Sequence, residues 1–240
     1  MKFVNGEIDR AGRRILEHLV RYRLVTKPIW ETWGELDSSE TIDYSKAVKR
    51  LVKQRLVDSV PLHHGRFYFV LTMNAIRELN LEHCGSGPLI EHEKVKAYAR
   101  LVYCSQNKSV ELLTPSEVRH LISDECVSWS KGFYRIESAS ERIGFMRVDG
   151  NLQSHPARAA QQLRTDVFRF GKTPCIVKLI KSNRFELTWL TATEKRMSAV
   201  IEHFRNYDKV GSAPITSVVL PELIPLLTSI PLDGGIRTPM

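Results

Sequence analysis

Near Leu56 the hydrophobic pattern changes period, from the three- and four-residue spacing of a helix to the two-residue alternation of a strand. Upstream, Ala47, Val48, Leu51 and Val52 mark the inner face of a helix that begins near Thr41 to Asp43 and runs to Gln54. Downstream, Leu56-Val57-Asp58-Ser59-Val60 and Arg66-Phe67-Tyr68-Phe69-Val70-Leu71 read as two short strands. They are joined by Pro61-Leu62-His63-His64-Gly65, where Pro and Gly mark a turn. Thr72 then caps a helix through Ile76 and Leu79. Two more helices come first. From Asp9 to Val25 the residues Ile15, Leu16, Leu19, Val20 and Leu24 form an apolar stripe, with Asp9 as N-cap and arginines on the other face. Thr26-Lys27-Pro28 opens a short helix through Ile29, Trp30 and Trp33 that ends at Gly34.

Three helices, a two-stranded wing and a trailing helix reproduce the order of a winged helix, whose third helix enters the DNA major groove. The phrase LVKQRLVDSV…GRFYFVLT resembles winged-helix regulators. That resemblance implies a DNA-binding unit over residues 1–82, with Tyr44, Ser45, Lys46, Lys49, Arg50 and Lys53 facing outward from the recognition helix. His63, His64 and Arg66 would then sit at the wing, where phosphate or minor-groove contacts are made. Charge points the same way. The formal net charge is +8, and basic residues outnumber acidic ones between Arg10 and Arg66, as a polyanionic partner requires. Double-stranded DNA is the expected partner. Against this stands a solvated basic face on a domain that docks another protein. A second alternative makes His63 and His64 metal ligands, but no further ligand stands near them in sequence, so no metal and no cofactor is expected.

At 240 residues the chain is long enough for two compact units. Residues 83–90, HCGSGPLI, have the composition of a linker, followed by a second unit over 91–220 and a proline-rich tail over 221–240. The second unit reads as a helix from Glu91 to Tyr103, an extended Val110 to Leu113, and a helix opened by the capping box Thr114-Pro115-Ser116-Glu117. A hairpin follows, Gly132 to Glu137 and Ile143 to Asp149, with Ser138 to Arg142 as its turn. Next come a helix from Pro156 to Phe170, strands at Cys175 to Ile180 and Phe185 to Thr191, and a capping box of Thr191 and Glu194. That box opens a helix carrying Met197, Val200, Ile201 and Phe204. Ile215 to Leu220 is strand-like, and Leu223 to Leu227 is apolar and proline-bounded, a surface for a neighbour that leaves a homodimer open.

The segments GFMRVDGN and FELTWLTATEKRMSAVIEHFR, with a basic-aromatic helix between them, resemble the C-terminal region of replication-relaxation family proteins. The resemblance implies an α+β chain, an N-terminal winged helix followed by a degenerate restriction-endonuclease-like α/β domain, encoded by a plasmid, phage or integrative element. Nucleases of that type need clustered carboxylates to hold Mg²⁺. On alignment, Ser130-Lys131 stands where the family pattern has Pro-Asp, and Arg147-Val148-Asp149 falls on the second position, so Asp149 alone keeps its carboxylate. Lys131 and Arg147 put positive charge where the cation would sit, and a catalytic centre is not expected. The same change suggests a second basic surface from Lys131, Arg135, Arg142, Arg147, Arg158, Arg164 and Arg169. A transcriptional regulator or a replication or mobilisation accessory is therefore expected, with an Mg²⁺-dependent nuclease and a protein-interaction adaptor as alternatives.

No apolar run reaches the ~18 residues of a membrane span, and the opening MKFVNGEIDR lacks a secretory h-region, so a cytoplasmic location is expected. Cys84, Cys104, Cys126 and Cys175 lie about twenty or more residues apart, which suits buried free thiols better than zinc ligands.

Overall fold

The computed structural model describes residues 8–35, 43–63, 65–81, 84–137, 142–205 and 214–229, and these form a mixed α+β chain. Asp9 accepts a hydrogen bond from the Gly12 backbone N–H at 2.8 Å and so caps α1 (Arg10–Tyr22), satisfying one of the donors every helix start leaves open. Ile15, Leu16 and Leu19 point inward from it. A single extended residue, Val25, follows before α2 (Lys27–Glu35), and α3 (Tyr44–Lys53) is capped by Asp43 through the Lys46 N–H. The α2 helix continues through Gly34 to Glu35, one residue past its expected stop.

Strands β1 (Val57–Pro61) and β2 (Phe67–Leu71) pair antiparallel, Val57 against Leu71 and Pro61 against Phe67. Gly65 sits in the turn at φ +74°, a conformation glycine adopts without steric cost. Val25 exchanges both backbone hydrogen bonds with Phe69, at 3.2 and 2.8 Å, so the connection after α1 extends the strand pair from its other side. Thr72 caps α4 (Met73–Glu78) through the Ala75 N–H, as its sequence position implies.

The segment expected as a linker is docked against β2 where it is described: Gly87 N–H donates to the Leu71 carbonyl and Leu89 N–H to the Tyr68 hydroxyl. It leads into α5 (Glu91–Gln106), β3 (Val110–Leu112) and α6 (Pro115–Leu121), whose Thr114–Glu117 capping box forms as expected. A kinked run of 3-10 turns, Asp124–Gly132, precedes β4 (Phe133–Ile136) and β5 (Arg142–Val148), the two strands of the expected hairpin. Its turn, 138–141, lies outside the described residues. Then come α7 (Pro156–Lys172), α8 (Pro174–Lys181), β6 (Phe185–Thr191), α9 (Glu194–Arg205), β7 (Ile215–Val219) and α10 (Ile224–Ser229).

The strand expected at Cys175 to Ile180 is a helix, α8. Its apolar run suits either period, but Pro174 at the first helical position presets φ and costs no hydrogen bond there. Helical spacing turns Ile176 into the core and brings Cys175, Leu179 and Ile180 against it. A strand in this place would have nowhere to pair, because β5 and β6 are direct parallel neighbours and the chain between them must cross over the sheet. The expected cap at Thr191 is also displaced. Thr191 ends β6, and Thr193 accepts the hydrogen bond that starts α9, from the Arg196 N–H at 3.2 Å.

The five strands lie in the order β3-β4-β5-β6-β7, antiparallel from β3 to β5 and parallel from β5 to β7. Two-residue alternation splits their side chains between the two faces. Phe133, Phe145, Leu187 and Trp189 pack in one core with α7 to α9, while Tyr134, Met146, Val148 and Leu190 join a core that also holds α5 and all the buried apolar residues of α1 to β2. That second core is continuous across both halves of the chain. Leu223, Leu226 and Leu227 of the tail are buried in it, so the apolar stretch expected to meet a neighbour packs on its own chain. Residues 230–240 lie outside the described residues. Cys104 and Cys126 are buried and Cys84 and Cys175 half-buried, all four as free thiols, so the expectation of burial holds for two of them. Among the described residues no helix is long and apolar enough to cross a membrane.

Candidate nucleic-acid interface

The sequence places nine candidate contacts on α3 and the turn after β1, and the structure separates them into groups. Ala47, Val48 and Leu51 anchor α3 in the core, which leaves Ser45, Lys46, Lys49 and Lys53 exposed on its opposite side. Among the described residues none of the three lysines forms a salt bridge. Val52, expected inward, is 40% exposed and lies beside Lys49 and Lys53 on the outer side.

Tyr44 does not face outward. Its ring stacks on Trp30 at 6.1 Å, and Trp30 in turn stacks on Phe69 at 5.8 Å, an aromatic column that ties α2, α3 and β2 together. At the first turn of α3 an aromatic residue gains more from this half-buried stack than from solvent. Beside the column a groove of about 300 Å³ opens between Trp30, Tyr44, Val48, Val52 and Phe69.

Arg50 is exposed but engaged: its guanidinium pairs with the Asp9 carboxylate, the same group that caps α1. In sequence Asp9 and Arg50 have separate tasks, because they stand 41 positions apart. The pair bridges the start of α1 to the middle of α3 and leaves Arg50 less free to reach a ligand than the lysines. At the wing, Arg66 is exposed and His63 half-buried, while His64 lies outside the described residues.

Arg21 is a further basic residue whose role has no local signal. On the last turn of α1 it donates to both carboxylate oxygens of Glu117, at 2.8 and 2.9 Å, and to the Leu112 carbonyl, and it forms an ion pair with Glu111 at 3.1 Å. Burial alone would raise the Glu117 carboxyl, but hydrogen bonds from Arg21 and Thr114 outweigh it and hold the group below the usual carboxylate range. This network joins the N-terminal helices to the sheet unit.

The expected second basic surface is mostly absent. Arg135 pairs with Glu111 at 2.5 Å, Arg142 with Glu186 at 2.8 Å, and Arg147 makes two 2.5 Å contacts with the fully buried Asp166. Arg164 donates to the His203 carbonyl, and Arg169 lies over the Trp129 ring at 5.3 Å. Lys131 and Arg158 remain exposed, Lys131 lying 4.0 Å from Glu93. Arg135, Arg142 and Arg147 became ion pairs because each faces a carboxylate distant in sequence.

Asp149, just past the end of β5, lies 2.6 Å from Arg196 of α9, and both side chains are buried. Arg196 also donates to the Ser154 carbonyl at 2.5 Å, the Ser154 hydroxyl at 2.9 Å and the Asn151 carbonyl at 3.3 Å. Asp149 and Asp166 are thus each paired with a guanidinium. Among the described residues no three His, Cys, Asp or Glu side chains come together in a group that could hold a metal ion.

No protein-family model matches the chain, and neither a curated protein nor a solved structure matches it.

Proposed function

We propose that this chain binds double-stranded DNA without acting on it chemically, through a winged helix formed by α1 to α4. The observation that carries the proposal is the set of three lysines on α3, Lys46, Lys49 and Lys53, exposed and without salt bridges among the described residues while Arg135, Arg142, Arg147 and Arg196 are paired. Unpaired cations on one side of a core-anchored helix are what phosphate contacts and base-edge contacts both use. Supporting the fold assignment are the element order and the Val25–Phe69 bridge, which give α3 a rigid platform beside a two-stranded wing. Arg66 at the wing adds a phosphate contact.

For the second unit, a helix, three antiparallel strands, a crossover helix and a parallel strand are the order of a restriction-endonuclease-like core, here read as degenerate. Supporting that reading, Asp149 and Asp166 already have their lone pairs committed to Arg196 and Arg147. A transcriptional regulator, or an accessory of replication or mobilisation on a mobile element, is the role that follows.

The groove beside Trp30 and Tyr44 favours a second reading, a protein-interaction adaptor that takes an apolar side chain there. Mobility-shift assays with random duplex at low salt separate the two, since the DNA reading requires a shifted band and the adaptor reading none. Supercoiled plasmid incubated with the protein and Mg²⁺ or Mn²⁺ should stay intact. Metal-dependent nicking would reject the non-enzymatic assignment.

A further inference from the structure

A cavity of about 340 Å³ lies between the two halves of the chain. Four basic side chains line it: Arg21, already committed to Glu111 and Glu117, Arg23 from the end of α1, Arg100 from α5 and Lys131 from the turns before β4. Arg100 has its Nε sealed from solvent without a hydrogen-bond partner, and among the described residues its guanidinium makes no salt bridge. The Arg23 side chain likewise makes no salt bridge or hydrogen bond among the described residues, and its guanidinium lies against Gly85, where any Cβ would approach within 2.0 Å. Glu93 is the acidic residue of this wall, and it is shared: Lys96 holds it at 3.0 Å and Lys131 lies at 4.0 Å. Among the described residues, positive side chains therefore outnumber negative ones in the cavity wall.

Such an arrangement is costly when empty, because a half-buried guanidinium with a sealed, unpartnered Nε loses part of its hydration with nothing to replace it. Burial lowers the Arg100 group to about 10; Glu93 opposes that shift and the neighbouring Arg147 adds to it. The buried Arg196, by contrast, is compensated by Asp149. Val20, Leu89, Ala97 and Leu113 give the cavity an apolar wall, and Thr114, Ser128 and Ser130 add neutral polar groups. Volume and composition suit a small ligand, and cavities between structural units are common ligand sites.

We propose that this cavity binds a phosphorylated small molecule, its phosphoryl group held by Arg23, Arg100 and Lys131 and its apolar or aromatic part lying on the Val20–Leu89 wall. Guanidinium groups suit this task, since their planar donors match phosphate oxygens. The site touches α1 on one side and α5 on the other, so occupancy stiffens the junction between the α3-bearing unit and the sheet. The inference stands whether or not α3 binds DNA.

The test uses the full chain with inorganic phosphate, adenosine 5′-monophosphate and adenosine as probes, read by calorimetry and thermal unfolding at constant ionic strength. Both phosphates should raise the unfolding temperature, and the nucleotide should bind at least about tenfold more tightly than adenosine. Arg100→Met should unfold at a higher temperature than the parent when ligand-free, since an uncompensated charge is gone, yet lose the phosphate response. Arg23→Gln, a milder change at a half-buried position, should weaken nucleotide binding by about tenfold or more without altering the fold. The proposal is overturned if neither phosphate shifts unfolding at about 10 mM, or if the shift survives in both variants. It is equally overturned if a single-stranded oligonucleotide lacking terminal phosphates binds as tightly as the nucleotide and depends on Arg100, which would make the cavity a contact for the DNA backbone.

Discussion

Replacing Asp149 with alanine removes the partner of Arg196 from a site where both side chains are nearly sealed from solvent, at 5% and 6% exposure. The guanidinium would keep its contacts to Ser154 and Asn151, all of them neutral oxygens. Neutral acceptors do not replace a carboxylate 2.6 Å away, so most of the desolvation cost of the charge would be exposed. Breaking a buried pair from one side costs about 3 to 5 kcal/mol, a large part of the roughly 5 to 15 kcal/mol that holds a domain folded. Arg196→Met strands the carboxylate instead and should cost a similar amount.

The double variant Asp149→Ala/Arg196→Met leaves no lone charge, and its loss should fall below the sum of the single losses by about 2 kcal/mol or more. Urea unfolding followed by circular dichroism measures all four corners of the cycle. Additive losses, or an Asp149→Ala loss below about 1 kcal/mol, would refute the argument that Asp149 is a structural ion-pair partner. If Asp149 instead served a metal, Mg²⁺ would stabilise the parent chain and not the variant.

His18, on α1, is a pH-sensitive element of the fold. Burial first, then the charges of Arg21 and Arg14, lower it from 6.5 to about 4, so it is neutral in the folded chain at pH 7. A depressed histidine contributes stability that is present above pH 6.5 and lost as pH falls through 6.5 toward 4, with a ceiling of about 3 kcal/mol. His18→Gln should therefore lose less stability than the parent between pH 7 and pH 4.5, and equal losses would contradict the assignment. Gly144→Ala should destabilise by at least about 2 kcal/mol, because the new Cβ would lie 2.1 Å from the Tyr134 ring. That ring cannot retreat without breaking 2.6 Å hydrogen bonds to Glu186 and Thr188, and a neutral effect in urea would show the packing to be looser than described. Arg66→Ala should weaken binding to every duplex alike; a change in preference among sequences would instead assign Arg66 to base readout.

Local signals in the sequence located most of the elements. Asp9, Thr72 and the Thr114–Glu117 box cap the helices they precede, and Gly65 supplies the positive φ that its turn requires. These features act within four residues and leave a local pattern. What the sequence did not disclose is pairing over distance. Arg50 looks like a free cation on α3 until Asp9 is placed beside it, and Tyr44 looks like an outward aromatic until Trp30 stacks on it. The same limit made Arg135, Arg142 and Arg147 look like one basic surface, although Glu111, Glu186 and Asp166 each claim one of them. At α8 the failure was of a different kind: five apolar residues in six satisfy both periods, and only the parallel pairing of β5 with β6 decides between them. The Arg23–Arg100 cavity had no sequence signal, since its lining comes from α1, α5, α6 and the turns before β4.

Fluorescence anisotropy of the full chain on a labelled duplex, over a series of salt concentrations, tests the proposed interface most directly. Each phosphate contact contributes about 0.9 to the slope of log affinity against log salt on B-form DNA. Lys46→Ala/Lys49→Ala/Lys53→Ala, which removes only exposed side chains and leaves Ala47, Val48 and Leu51 in the core, should keep the fold by circular dichroism. Its slope should be shallower by between about two and three, with affinity reduced at every salt concentration. Unchanged slope and affinity in a folded variant would place the DNA contacts elsewhere and contradict the α3 interface.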